Sequence, residues 1–256
     1  MNIRTQKKLT LLSAVMCSSL SFNALADITD RIEKTFDFES NGTIRISNVN
    51  GDVSFTACDC SQVTLIADIR ASSQEMRDRI TIDINQSSSS LRVKTRYEEN
   101  RGSSWHNEHS EVTYTLSVPN DVRLEDIDLV NGNLDIKGVT GALDADLVNG
   151  ELSSDGLTSS TKVSMVNGDM DIRFSDLSNA KFVNLESVNG NIYVYLPAGS
   201  NATVDAETVS GRISNDFGIE VIKHKFVGSE MKGSIGSGDV RIDLENVNGR
   251  IAVKSL

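Results

Sequence analysis

One tripeptide constrains this chain more than any other feature. Val-Asn-Gly stands at 49–51, 130–132, 148–150, 166–168, 188–190 and 247–249, and Val-Ser-Gly stands at 209–211. The three central copies are 18 residues apart, the next two steps are 22 and 21, and Val139-Thr140-Gly141 marks a half-period between Asn131 and Asn149. Self-similarity at such a period identifies a unit that cannot bury its apolar face alone and must stack on its neighbours. Glycine accepts positive φ without a Cβ clash and Asn tolerates it better than other side chains, so Asn-Gly reads as a reversal of the chain.

The residues after each turn repeat as well. Three positions beyond the Asn (or Ser) stand Val53, Leu134, Leu152, Met170, Ile192, Ile213 and Ile251; five positions beyond stand Phe55, Ile136, Ser154, Ile172, Val194, Asn215 and Val253. Period two is the strand signature and predicts that both sets face a core. The side chains between them, among them Ser54, Asp135, Asp171, Tyr193 and Ala252, are expected to face outward. The fold class is therefore all-β. Recurrence of one side-chain class at one offset favours a single-stranded β-solenoid or β-roll with stacked Asn-Gly turns, in which Asn amides hydrogen-bond from coil to coil. A hairpin-built sandwich or barrel remains the alternative, and the uneven steps speak for it.

Three segments are expected. Residues 1–26 read as a signal peptide: Arg4, Lys7 and Lys8 precede an apolar run from Leu11 to Leu20, and Ala24-Leu25-Ala26 has the small-x-small form of a cleavage site. Residues 27–119 form an N-terminal β region, with alternation in Val63–Ile66, Ile80–Ile84 and Val112–Val118, a short helical turn over Ser73–Arg79 and a polar loop over Glu98–Glu111. Residues 120–256 carry the repeats, and the N-terminal region reads either as interrupted early coils or as a distinct β lobe that caps one open end of the stack, where unpaired backbone groups invite aggregation. Periplasmic residence follows from the leader, with the cell surface or secretion as alternatives, and no later stretch is long and apolar enough to span a bilayer as a helix.

Charge and side-chain inventory exclude several functions. With 36 acidic and 25 basic residues the net charge is -11, and loss of the leader's three cations makes it -14. Such a surface repels nucleic acid and anionic lipid. Beyond the leader only Cys58 and Cys60 remain; an oxidising compartment favours pairing, which requires a tight turn at Asp59, and an intermolecular or unpaired state is the alternative. His106 and His109 read as part of a polar surface loop, with a zinc or copper site as the alternative if the loop folds back and a carboxylate joins, and His224 between Lys223 and Lys225 reads as exposed. No Gly-x-Ser-x-Gly elbow occurs. Acid pairs such as Asp169/Asp171 carry no diagnostic weight in so acidic a chain, and calcium at the Asn-Gly-Asp turns (Asp52, Asp169) is a minor alternative. No catalytic residue, metal or cofactor is expected. The one outward feature that suggests binding is Tyr193 with Tyr195; the preceding repeat should place Asp171 and Arg173 beside them and the following repeat Ser214 and Asp216. Two aromatics flanked by charges suit a sugar ring or a peptide anchor.

Three sequence features carry a resemblance: Ile46-Ser-Asn-Val-Asn-Gly-Asp-Val53, Tyr114-Thr-Leu-Ser-Val-Pro119, and the successive Asn-Gly turns from Asn131 to Asn248. With these the chain, from about Thr43 to Val253, resembles the bacterial "putative adhesin" domain family of unknown function. The resemblance implies a solenoid-like or roll-like β fold and supplies no catalytic residues. The expected function is a non-catalytic exported scaffold or adhesin-like binding protein of the cell envelope, partnered by an envelope protein or glycan. A polysaccharide-acting enzyme on a β-helical scaffold is the competing class.

Overall fold

The computed structural model describes residues 27–98, 109–224 and 228–256. In chain order its strands are β1 (Ile28–Asp37), β2 (Thr43–Asn50), β3 (Val53–Cys58), β4 (Gln62–Ala71), β5 (Ile80–Ser87), β6 (Ser90–Tyr97), β7 (Ser110–Pro119), β8 (Arg123–Asn131), β9 (Leu134–Lys137), β10 (Leu143–Asn149), β11 (Leu152–Asn167), β12 (Met170–Asn189), β13 (Ile192–Leu196), β14 (Ala202–Asn215), β15 (Val221–Lys223), β16 (Ser229–Ile235) and β17 (Val240–Ser255). A five-residue helix, α1 (Gln74–Asp78), is capped by the Ser73 hydroxyl, which accepts from the Met76 N–H at 3.2 Å. Among the described residues all 17 strands join one unclosed sheet.

The register follows the Asn-Gly copies. On the strands entering the turns, Asn50 pairs with Asn131, Asn131 with Asn149, Asn149 with Asn167, Asn167 with Asn189, and Asn189 with Asn248, all in parallel; Asn248 then pairs with Ser210. On the strands leaving the turns the same order holds, from Val53 through Leu134, Leu152, Met170, Ile192 and Ile251 to Ile213. A one-residue slip would turn every one of these apolar side chains outward, so burial itself enforces the register. All seven are at most 6% exposed and belong to one continuous apolar cluster. At about 1.5–3 kcal/mol for each fully buried aliphatic side chain, this column is a main source of stability.

Side-chain amides reinforce the corner. Nδ2 of Asn131, Asn149, Asn167, Asn189 and Asn248 each donates to Oδ1 of the Asn below it, at 2.9–3.0 Å. The glycine column is required by the same closeness. A Cβ on Gly132, Gly150, Gly168, Gly190, Gly249 or Gly211 would lie 2.6–2.8 Å from the carbonyl carbon of the neighbouring coil's glycine, and nearer still to its oxygen.

Two departures from the sequence reading stand out. The last strand is not the last layer: β17 pairs with β12 and β13 on one side and with β14 on the other. The chain leaves β13 through Pro197, skips a layer to form β14, and returns through the antiparallel β16 to fill the gap. Ala252 keeps the outward face that strand alternation gives it, in register with Tyr193, yet it is covered to 2% exposure.

At the other end, β6 and β7 pair in parallel with the free edges of β2 and β3. Antiparallel β5 extends β6, while β4 and then β1 extend β7.

Candidate binding surfaces

β13 is paired on both edges, and its alternation fixes where its tyrosines point. Ile192, Val194 and Leu196 are fully buried, so Tyr193 and Tyr195 face outward and are half-buried. Asp171 and Arg173 of β12 lie beside them in register. On the other side lie Ala252 and Lys254 of β17. This corrects the expectation of Ser214 and Asp216, which belong one layer further out because β17 is inserted between β13 and β14.

The result is a ledge of two rings and two cations. The Arg173 guanidinium lies 4.4 Å from the Tyr195 ring centre, and Lys254 Nζ lies 5.0 Å and 5.1 Å from the centres of Tyr193 and Tyr195. Lys254 Nζ also donates to the Tyr195 hydroxyl at 3.4 Å, and Arg173 Nη2 donates to Asp171 Oδ2 at 3.2 Å. Each cation–ring contact at such a partly exposed site is worth about 0.5–1 kcal/mol and holds the rings in place.

A second surface went unread in the sequence. The valine of every Val-Asn-Gly copy points outward: Val49, Val130, Val148, Val166, Val188 and Val247 are 39–41% exposed, and Val209 is 53% exposed. Two residues before each valine, and therefore on the same face, runs a column made of Ser47, Asp128, Asp146, Ser164, Glu186, Glu245 and Glu207. Between the columns lies a groove of about 350 Å³ lined by Asp128, Val130, Asp146, Val148, Val166 and Glu186. It continues past Val188 into a hollow of about 390 Å³ beside Glu207, Val209, Glu245 and Val247. Among the described residues, no ion pair reaches Asp128, Asp146, Glu186, Glu207 or Glu245. The Asp128 carboxyl is held above its ordinary range, first by burial and then by Asp146 and Asp126, with Arg92 pulling the other way and Asp144 adding least. The valines were hard to read because Leu129, Leu147 and Met165 stand directly before three of them. In an apolar pair, alternation alone does not say which member faces in.

The remaining polar groups have structural work. Oδ1 of Asp52 accepts the Asn133 N–H and Oδ1 of Asp169 accepts the Asn191 N–H, both at 2.7 Å, so these two carboxylates bridge adjacent layers. Cys58 and Cys60 form a disulfide across a bend at Asp59, with Cα atoms 5.3 Å apart. His106 lies outside the described residues; His109 sits 3.5 Å from Asp27 and His224 3.5 Å from Glu230. Among the described residues there is no cluster of three or more metal-ligating side chains, and no helix is long and apolar enough to cross a membrane.

A family model described as Toastrack DUF4097 matches residues 39–254. No curated protein matches the chain. Among solved structures, a "putative cell adhesion protein" from Clostridium sporogenes is 16% identical, with 89% of this chain and 100% of that one covered and a TM-score of 0.49. A "putative adhesin" from Bacteroides fragilis is 12% identical, with 89% and 97% covered and a TM-score of 0.38. A "putative lipid binding protein" from Parabacteroides distasonis is 10% identical, with 90% and 96% covered and a TM-score of 0.23.

Proposed function

The chain belongs to the Toastrack DUF4097 family, and we propose that it is a non-catalytic binding protein of the cell envelope, exported with removal of residues 1–26. In this reading the repeats of residues 120–256 form an open β-solenoid with stacked Asn-Gly turns, and the N-terminal β region, residues 27–119, caps it. The solenoid holds the ledge of Tyr193, Tyr195, Asp171 and Arg173, joined by Lys254, against a glycan or an envelope protein. The observation that carries the reading is the position of the tyrosines on a strand hydrogen-bonded along both edges. Rings held this way lose little freedom on binding, so their contact area converts efficiently into affinity. Arg173 is paired with Asp171, but Lys254 has no carboxylate partner among the described residues and favours a partner bearing carboxylate or phosphate groups.

Co-sedimentation of the purified protein with isolated cell-wall and outer-envelope glycans tests the ledge. Tyr193→Ala/Tyr195→Ala is expected to weaken retention about tenfold, a loss of about 1.4 kcal/mol. Retention equal to that of the wild type would remove the ledge as the site, and recovery of the uncleaved chain from the cytoplasm alone would remove the export reading.

A further inference from the structure

We propose that the groove between the valine and acidic columns docks a basic amphipathic helix of a partner protein. This surface lies on the strands entering the turns, apart from the tyrosine ledge, and serves a different partner chemistry.

Four observations lead there. First, the valine is chosen for its apolarity: threonine has the same branching and suits an exposed strand as well, yet none of the seven copies uses it. Second, six of the seven valines share nearly one exposure, 39–41%, so they form a uniform apolar ridge rather than scattered residues. Third, the neighbouring column sets Asp128 beside Asp146, and Glu186 beside Glu245 beside Glu207, with none of the five in an ion pair among the described residues. Like charges one strand apart repel, a cost that a cationic partner removes. Fourth, the groove runs across strands whose backbones are already paired within the stack, so an incoming strand finds no free ladder there. A helix satisfies its own backbone and presents an apolar stripe with a charged flank, which is what ridge and column call for. Six inter-strand steps of about 4.8 Å make the surface about 29 Å long, the length of a helix of about 19 residues.

The test uses a fluorophore-labelled Lys/Leu peptide of about 19 residues, with leucines on one face and lysines on its flank, titrated with the purified protein by anisotropy. Two controls accompany it: a scrambled peptide of the same composition, and a Glu/Leu peptide of the same pattern. We expect the amphipathic basic peptide to bind about tenfold more tightly than either control. We expect Val148→Thr/Val166→Thr/Val188→Thr and Asp128→Asn/Asp146→Asn/Glu186→Gln each to weaken it about tenfold. If the triple valine variant melts early by circular dichroism, Val148→Thr and Val188→Thr singly decide the matter, at about threefold each. Equal binding of the scrambled peptide would reduce the effect to bulk charge and overturn the proposal. So would unchanged affinity in either set of variants. A dimer seen by light scattering and abolished by the valine substitutions would make a second copy of this chain the occupant, and would equally refute it.

Discussion

Replacing Gly168 by Ala should be among the most damaging single-methyl changes this fold can suffer. Gly168 has φ +136°, which L side chains rarely adopt, and its Cβ would lie 2.8 Å from the Gly150 carbonyl carbon with the oxygen nearer still. Carbon–carbon contacts normally settle at about 3.5–4.0 Å, so the two coils must part by about an ångström. Three bonds join them at this corner: Gly150 N–H to Asn167 O at 3.1 Å, Leu152 N–H to Asp169 O at 3.0 Å, and Asn167 Nδ2 to Asn149 Oδ1 at 2.9 Å. Losing them costs about 3 kcal/mol at about 1 kcal/mol each. The backbone conformation adds about 1–2 kcal/mol. A total of about 4–5 kcal/mol is a large part of the 5–15 kcal/mol typical of a domain, at the exceptional end of single substitutions. Two internal controls separate the causes. Gly218 has φ +74° and nothing within 4 Å, so Gly218→Ala should cost only the backbone part, about 1 kcal/mol. Gly199 has nothing within 4 Å and no positive φ, so Gly199→Ala should be neutral to about 0.5 kcal/mol or slightly stabilising. Urea unfolding followed by far-ultraviolet circular dichroism ranks the three. A Gly168→Ala midpoint no lower than that of Gly218→Ala would refute the argument that coil-to-coil approach selects the glycine.

Ser154 is fully buried with its hydroxyl unpartnered and is stacked between Ile136 and Ile172; Ser154→Ala should therefore raise stability by about 1 kcal/mol, visible as a higher urea midpoint. Tyr114 is also fully buried, and burial pushes its phenol up to about 12 against the opposing hydrogen bond with Thr95. A raised acid pKa favours the protonated folded form, so its contribution is intact below about pH 10, where the unfolded phenol begins to ionise, and about 2.7 kcal/mol is lost as pH rises to about 12. Tyr114→Phe should reduce that alkaline slope in urea midpoints measured between those limits, and the part that stays belongs to Tyr97, whose phenol burial also pushes up to about 12. Because β17 is paired along both edges, truncation before Val240 should open the stack between β13 and β14 and yield a chain that aggregates or is rapidly proteolysed. The Cys58–Cys60 bridge closes a loop of only three residues, so its reduction should cost no more than about 2 kcal/mol by loop entropy and lower the melting temperature by only a few degrees in calorimetry.

What the sequence discloses here follows from which physical constraints are local. Burial of Leu134, Met170 and Ile192 was legible because strand periodicity needs only the residue's neighbours in the chain. The need for glycine was legible for a partial reason. Positive φ accounts for Gly150 or Gly168, but Gly132 and Gly211 have no such φ and are fixed by the adjacent coil's carbonyl, a constraint that exists only once the layers meet. The identity of Lys254 as the tyrosines' neighbour was out of reach for the same reason: period arithmetic places each copy after the last, and nothing local states that β14 skips a layer.

Yet the sequence holds one sign of that arrangement. An interior Asn of the ladder both donates to the coil below and accepts from the coil above, as Asn149 does between Asn131 and Asn167. An end member needs only one of the two bonds, so its replacement costs least. The single copy with Ser in place of Asn is Val209-Ser210-Gly211, and in space it is the end of the column, beyond Asn248. Val247-Asn248-Gly249, last in the chain, keeps its Asn and donates to Asn189. The substitution therefore marks position in the stack rather than position in the chain, and reading it that way orders the last two coils correctly.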